Sequence, residues 1–213
     1  MSRTLIVVAH PDQASLNHAM VKRASHLLGG QGHDVRVRDL YAEGFAPALA
    51  PAQFASRIHG DRFLPMDEQA HAARVGAVDA ATASMQDDLR AADTLILQFP
   101  LWWWSLPAIL KGWVDRVMGN GFAYGETNLS GRRSMLAVTA ETKASRFAGD
   151  GSDPLEHIER GMLKFCGFEV LPSFVIAEVH STPEGAIAAR LDDYERHILH
   201  HVAGLPSTRE MAS

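Results

Sequence analysis

Apolar positions along the chain fall into two alternating patterns, continuous runs of strand length and stripes of helical spacing. Thr4-Leu5-Ile6-Val7-Val8-Ala9 is an unbroken apolar run rich in β-branched residues, the pattern of a parallel strand buried on both faces. A polar loop, residues 10–15, follows; apolar residues then recur at 16, 20, 24, 27 and 28, a helical face that Gly29-Gly30 is expected to end. Residues 34–40 alternate and predict a second strand near the sheet edge. An irregular region from Tyr41 to about Val78 holds three prolines, a length that points to a lid, a partner contact or short helices. A helix over 80–91 then leads into the apolar run Leu95-Ile96-Leu97-Gln98-Phe99. Later come a strand over 134–139, a helix from Asp153-Pro154 to Cys166-Gly167, a strand over 169–177 and a last helix over 183–201. Pro172 inside the fifth strand argues for a sheet edge. Alternating elements of these lengths predict a doubly wound, mostly parallel α/β sheet with helices on both faces.

The rest of the pattern is organised around residues 95–113. The strand turns at Pro100 and displays three consecutive tryptophans, Trp102, Trp103 and Trp104. Ser105 is suited to cap a helix and Pro107 to sit in its first turn. Apolar residues at 106, 109, 110, 113, 114 and 117 mark that helix's buried face, with Trp113 in the core. Gly119-Asn120-Gly121 stops it. The tryptophans therefore lie on a loop at a strand's carboxyl end, where open α/β sheets bind ligands. Two readings remain open for these rings: they fill a packing gap or an oligomer contact, or they wrap a flat aromatic cofactor. The loops after residues 9, 99 and 139 together carry the candidate site.

Composition narrows the partners. With 213 residues the chain has enough length for one domain and a substantial core; residues 1–204 are assigned to it and 205–213 to a tail. Twenty basic residues against 25 acidic ones give −5, so neither nucleic acid nor an anionic membrane is advertised. No apolar run approaches the length of a membrane-spanning helix, and the amino terminus does not read as a signal peptide. A single cysteine, Cys166, excludes an internal disulfide. The expected location is cytoplasmic. Cys166 itself reads as a small buried residue, and His197, His200 and His201 as a solvated helix end rather than a metal site.

After the first strand, His10 and a helix start at Ser15-Leu16-Asn17 offer a side-chain donor and free N–H groups, a plausible anion cradle. Ordinary cap and turn chemistry explains the same residues. With Ala9-His10-Pro11, Ser15-Leu16-Asn17, Asp39-Leu40-Tyr41, the run from Gln98 through Trp113, Gly121-Phe122-Ala123-Tyr124 and Phe165-Cys166-Gly167-Phe168, the chain resembles the flavodoxin-like NAD(P)H:quinone oxidoreductases, in the family's order over roughly residues 4–180. The resemblance implies a five-stranded parallel sheet in the order 2-1-3-4-5. It implies FAD, with FMN as the alternative, and NAD(P)H as electron donor to a quinone or similar aromatic acceptor. It implies that His10, Ser15, Leu16 and Asn17 hold the flavin's phosphate-bearing tail. Pro100, Leu101, Trp102, Trp103 and Trp104 would wrap its ring through their main chain, and Thr139, Ala140 and Glu141 would contact the other edge. Trp104, Tyr124 and Phe147 are the implied substrate contacts. A homodimer with the site at its interface is also implied.

Two departures stand out. Glu141 replaces a glycine usual in the family after the fourth strand, and Phe147 stands where many members carry a tyrosine. No side chain is singled out as a general acid or base, and no metal site is expected. An electron-carrier flavodoxin or a regulatory subunit of a potassium-efflux system are the rival functions.

Overall fold

The computed structural model describes residues 2–147 and 153–204; the tail assigned to 205–213 lies outside them. Strands β1 (Arg3–Val8), β2 (Asp34–Asp39), β3 (Thr94–Pro100) and β4 (Arg133–Thr139) pair in parallel. The predicted fifth strand is broken at Pro172-Ser173 into β5 (Glu169–Val170) and β6 (Phe174–Ile176), both paired with β4. The order is therefore β2-β1-β3-β4-β5, with β6 continuing along the same edge of β4. Pro172 has no N–H to donate to a ladder, which is why the interruption falls there.

Helices cover both faces. Leu5, Val7, Leu95, Leu97, Phe99, Leu136 and Val138 point to one side and pack with α3 (Ala80–Ala91) and α4 (Ala108–Val117). Ile6, Val8, Ile96, Met135 and Ala137 point to the other, against α1 (Leu16–Gly30) and α6 (Glu184–His201). Strand side chains alternate between faces, so continuous apolar runs are what two covered faces require. Helix α1 runs through Gly29 and Gly30 and turns only at Gly32 (φ 80°), whose freedom at positive φ makes it the stop instead. The helix after Asp153 begins as α5 (Glu156–Ile158) and continues with wider π-type turns over Glu159–Lys164, closing at Gly167 (φ 95°).

The irregular 41–78 region resolves into α2 (Pro65–Val75) and a strap fixed by buried charge. Glu68 of α2 is fully buried and accepts from Arg57 Nε (2.9 Å) and from the N–H groups of Ile58 (2.9 Å) and His59 (3.3 Å). Burial alone raises its carboxyl's pKa, but these donors outweigh it and pull the value down to about 2. Arg116 of α4 donates to the Ala46 carbonyl and to Asp79 (3.0 Å), with its guanidinium over the Phe45 ring. Neither tie has a local sequence signature.

The strap crosses α4 at Gly112. A Cβ there would sit 2.3 Å from the Pro47 carbonyl oxygen and 2.6 Å from its Cα, so helix and strap touch through backbone. Gly112→Ala is expected to cost about 1–3 kcal/mol, because the strap must lift, despite alanine's better helix propensity. Chemical denaturation of the two proteins measures it; an alanine variant as stable as the parent would contradict the contact.

Candidate functional site

The carboxyl ends of β1, β3 and β4 are locked together before any side chain faces solvent. Ala9 N–H donates to the Gln98 carbonyl (3.0 Å), and Leu101 N–H to the Thr139 carbonyl (2.8 Å). Inside, Gln98 Nε2 donates to Asn17 Oδ1 (2.9 Å), and Asn17 Nδ2 donates to Thr139 Oγ1 (2.9 Å). All three residues are buried. This places the first turn of α1 against the ends of two strands, and a cleft of about 250 Å³ opens above it.

Ten of the twelve residues expected to hold cofactor line this cleft. His10, Ser15, Leu16 and Asn17 form one wall; Pro100, Leu101 and Trp102 form a second; Thr139, Ala140 and Glu141 form a third. Trp103 and Trp104 line an adjoining depression of about 230 Å³, shared with Leu101, Ala140, Glu141 and Thr142. Val179 and His180 complete the cleft and were missed by sequence reasoning. The signal existed: they follow the last strand of the sheet, and the carboxyl-end rule covers that loop too. Their loop is bound to the third wall, with Val179 N–H donating to the Ala140 carbonyl (3.2 Å). Glu141 accepts from His180 N–H (3.3 Å to each oxygen) and meets the His180 ring.

The wall at α1 is suited to an anion. The first-turn N–H groups of Leu16 and Asn17 have no carbonyl a turn before them to bond, and that turn has no acidic residue. His10 Nδ1 accepts from Asp12 N–H (3.0 Å), which in the neutral ring leaves the proton on Nε2 as a donor. The side-chain amide of Asn17 bonds to Gln98 and Thr139, so its main-chain N–H is the group left toward the cleft. Main-chain bonding by the second wall is also narrower than expected, because the N–H groups of Leu101 and Trp102 are already used.

Ser105 does not cap α4. Helix α4 starts after Pro107, whose carbonyl accepts from Leu110 and Lys111, each at 2.9 Å. Ser105 instead closes a two-residue turn: Trp102 N–H donates to the Ser105 carbonyl (3.2 Å), and Ser105 N–H to the Trp102 carbonyl (3.0 Å). Trp103 (φ 49°) and Trp104 (φ 59°) occupy its corners in the left-handed region, which suits Asn or Gly. Trp103 is 96% exposed, so the turn presents an indole to solvent without a packing reason inside the chain. The guanidinium of Arg146 lies 5.7 Å from the Trp104 ring centroid.

The remaining substrate candidates lie elsewhere in the protomer. Tyr124 stacks on Phe165 (5.5 Å between centroids) beside a separate cavity of about 260 Å³ lined by Met66, Met118 and Met162. Phe147 is half-buried against the α3/α4-side core rather than in the cleft, because the short helical turn Ala144–Phe147 directs it inward. Cys166 is buried and desolvation pushes its thiol up to about 11, as suits a packing residue. The three histidines are less solvated than expected. Burial lowers the pKa values of His197 and His201; His197 Nε2 meets the Pro172 carbonyl (2.8 Å), and the His201 ring lies 4.4 Å from each of the other two.

Residues 2–198 match the family model described as a flavodoxin-like fold. A ribosyldihydronicotinamide dehydrogenase-like protein, traD, of Penicillium crustosum is 37% identical, over 92% of this chain and 80% of the relative. NAD(P)H dehydrogenase [quinone] 1 of Rattus norvegicus is 32% identical, over 92% and 76%. A crystal structure from Klebsiella pneumoniae, described as a quinone reductase, superposes with a TM-score of 0.87 at 35% identity, over 93% and 84%. The chain belongs to the flavodoxin-like NAD(P)H:quinone oxidoreductase family. Within that family fold, the tryptophan turn holds two of the three non-glycine residues at positive φ among the described residues, the third being Glu178. Trp103→Gly is expected to raise stability by about 0.5–1 kcal/mol, since it removes a left-handed penalty and little burial. Thermal and urea unfolding measure this; a loss of stability would show that the indole packs.

Proposed function

We propose that this chain is a flavoenzyme that passes a hydride equivalent from NAD(P)H to a quinone in two half-reactions through one slot. The observation that carries the reading is the cleft at the carboxyl ends of β1, β3 and β4, with an anion-suited helix start on one wall, Trp102 on another, and Trp103 and Trp104 in the adjoining depression. FAD is the cofactor proposed, on the family resemblance of the His10 and Ser15–Asn17 segments. Bound flavin supplies the redox chemistry that no side chain here provides. The residues bind and orient. The N–H groups of Leu16 and Asn17, with the His10 and Ser15 side chains, fit the phosphate-bearing tail. Trp102 and Trp104 offer flat apolar surface, which suits a slot that accepts two planar molecules in turn. No buried carboxylate or imidazole in the cleft is needed as a general acid or base.

Tyr124 and Phe165 enter through a second copy in this reading. Phe165 is 64% exposed and Met66 56% exposed, an apolar face of the kind a homodimer covers. Tyr124 would then serve its partner's cleft, which accounts for its distance from the cleft of its own chain.

An anaerobic spectral titration of the FAD-loaded protein with NADPH and then NADH tests the assignment. Two-electron bleaching, restored by a quinone, is the expected result and names the donor. Bound flavin that neither nucleotide reduces would favour an electron carrier or a regulatory subunit. Glu141 adds a second check, because a carboxylate beside the cleft disfavours the extra negative charge of reduced flavin. Glu141→Gly is expected to raise the midpoint potential by about 10–30 mV, a small shift because the side chain is half exposed and screened. Spectroelectrochemistry on both proteins reads it; a lowered potential would reverse the sign of the argument.

A further inference from the structure

Beside the cleft, Ser15 ends a hydrogen-bonded line whose other two members, His18 and Asp39, the flavin reading does not use. Ser15 Oγ lies 3.0 Å from His18 Nδ1, and His18 Nε2 lies 3.0 Å from Asp39 Oδ2. His18 is 6% exposed, so its ring exchanges few hydrogen bonds with water. Asp39 sits at the end of β2 and is held from several sides. Gln13 Nε2 donates to Oδ2 (2.7 Å), and the N–H groups of Tyr41 and Ala42 donate to Oδ1 (3.1 Å each). Burial raises the Asp39 pKa, yet the donors from Gln13, Ala42 and His18 together bring it below the usual carboxylate range. Asp39 is therefore an ionised acceptor with no proton to give, and His18 must carry its proton on Nε2.

That fixes what Ser15 can do. Its oxygen has three tetrahedral positions for hydrogen bonding: two lone pairs and one O–H. One lone pair accepts the His18 N–H as the helix cap (3.4 Å), and a second position faces His18 Nδ1. The third is left for the cleft, which Ser15 lines. When His18 is neutral, Nδ1 is a bare acceptor, so the Ser15 proton points at it and a lone pair faces the cleft. When His18 is protonated, Nδ1–H donates to Ser15, and the Ser15 proton is released toward the cleft. We propose that His18 is a positioning residue that switches Ser15 from acceptor to donor, so that binding of a phosphate-bearing ligand takes up a proton.

The proposal rests on the flavin reading of this cleft and adds the proton to it. Charge works in the same direction as geometry, since an imidazolium at the anion end favours phosphate oxygens. Among the described residues, the titratable groups in hydrogen-bond or ring contact with His18 are Asp39, from β2, and His10, from the loop after β1, whose ring stands edge-on at 6.4 Å. Protonated His10 would oppose a second charge on His18, and Asp39 supports one. Because His10 also borders the cleft, the test must separate the two histidines.

Calorimetric titration with FAD, at about pH 5.5 and about pH 8.5 in two buffers of different ionisation enthalpy, reads affinity and proton uptake together. FAD suits this range because its pyrophosphate stays fully ionised, whereas a phosphomonoester titrates near pH ~6. The expected result is affinity about tenfold weaker at the higher pH, with uptake of a fraction of a proton. His18→Asn should abolish most of that uptake and Ser15→Ala should reduce it, while His10→Gln, which removes a donor from the anion end, should weaken binding yet keep the uptake per FAD bound. Uptake retained in His18→Asn but lost in His10→Gln would assign the proton to His10 and overturn the proposal. FAD binding to the unaltered chain without any proton uptake would overturn it as well, and leave the flavin reading standing. Failure of FAD to bind at either pH would instead remove that reading.

Discussion

The buried line from Gln98 through Asn17 to Thr139 is the constraint on which the site depends. It joins the inside of β3, the first turn of α1 and the end of β4 across 122 residues of chain. A buried amide loses free energy when its bonds are broken, so swinging Asn17 toward solvent would leave Thr139 Oγ1 without its donor and Gln98 Nε2 with only Met20 Sδ (3.5 Å). Helix α1 is thereby set at one height above the sheet. Its free N–H groups then face the cleft by consequence, without a glycine-rich loop to aim them. An interior polar contact, rather than the loop's own sequence, makes the helix start a fixed donor.

Rigidity around the cleft is built from short backbone bonds, one wall to the next. Leu101 is tied to Thr139, and Val179 to Ala140, so the loops after β3, β4 and β6 are joined by backbone hydrogen bonds. Against this frame the tryptophan turn is held in a backbone conformation that bulky residues seldom adopt. Such a turn persists only when its surroundings over-determine it, here through the paired Trp102–Ser105 bonds and the helix that follows. Exposed Trp103 and Phe165 argue that the chain's own core does not account for its aromatic surface. Folding stability has little use for an indole that is almost wholly in solvent.

Much of this was legible in the sequence because buried parallel strands leave a coarse signature. Four continuous apolar runs gave the sheet, and the carboxyl-end rule nominated three loops whose residues converge on one cleft. Helix α3 falls on residues 80–91 as its pattern predicts. What was not legible depends on contacts distant in sequence. Ser105 has the right side chain for a cap, but the chain spends its backbone on a turn that no propensity favours for tryptophan. The fifth strand is largely apolar, and Pro172, with no N–H to donate, splits it. The strap over 41–64 has no periodicity because isolated charges, Glu68 and Arg116, hold it instead of an apolar face.

His10 and His18 show the same limit at the scale of one side chain. Both are histidines near the helix start, and nothing in the local sequence separates their roles. His10 bonds to the backbone of Asp12, two residues on, and so keeps a nitrogen for the cleft. His18 meets Asp39, 21 residues away, through a contact that exists only once β2 has paired with β1. The carboxylate decides the tautomer, the tautomer bears on the serine, and the serine lines the cleft. Chemistry at the cleft is therefore set in part by a residue at the end of an edge strand, at a position that a reading by motif assigns only to the fold.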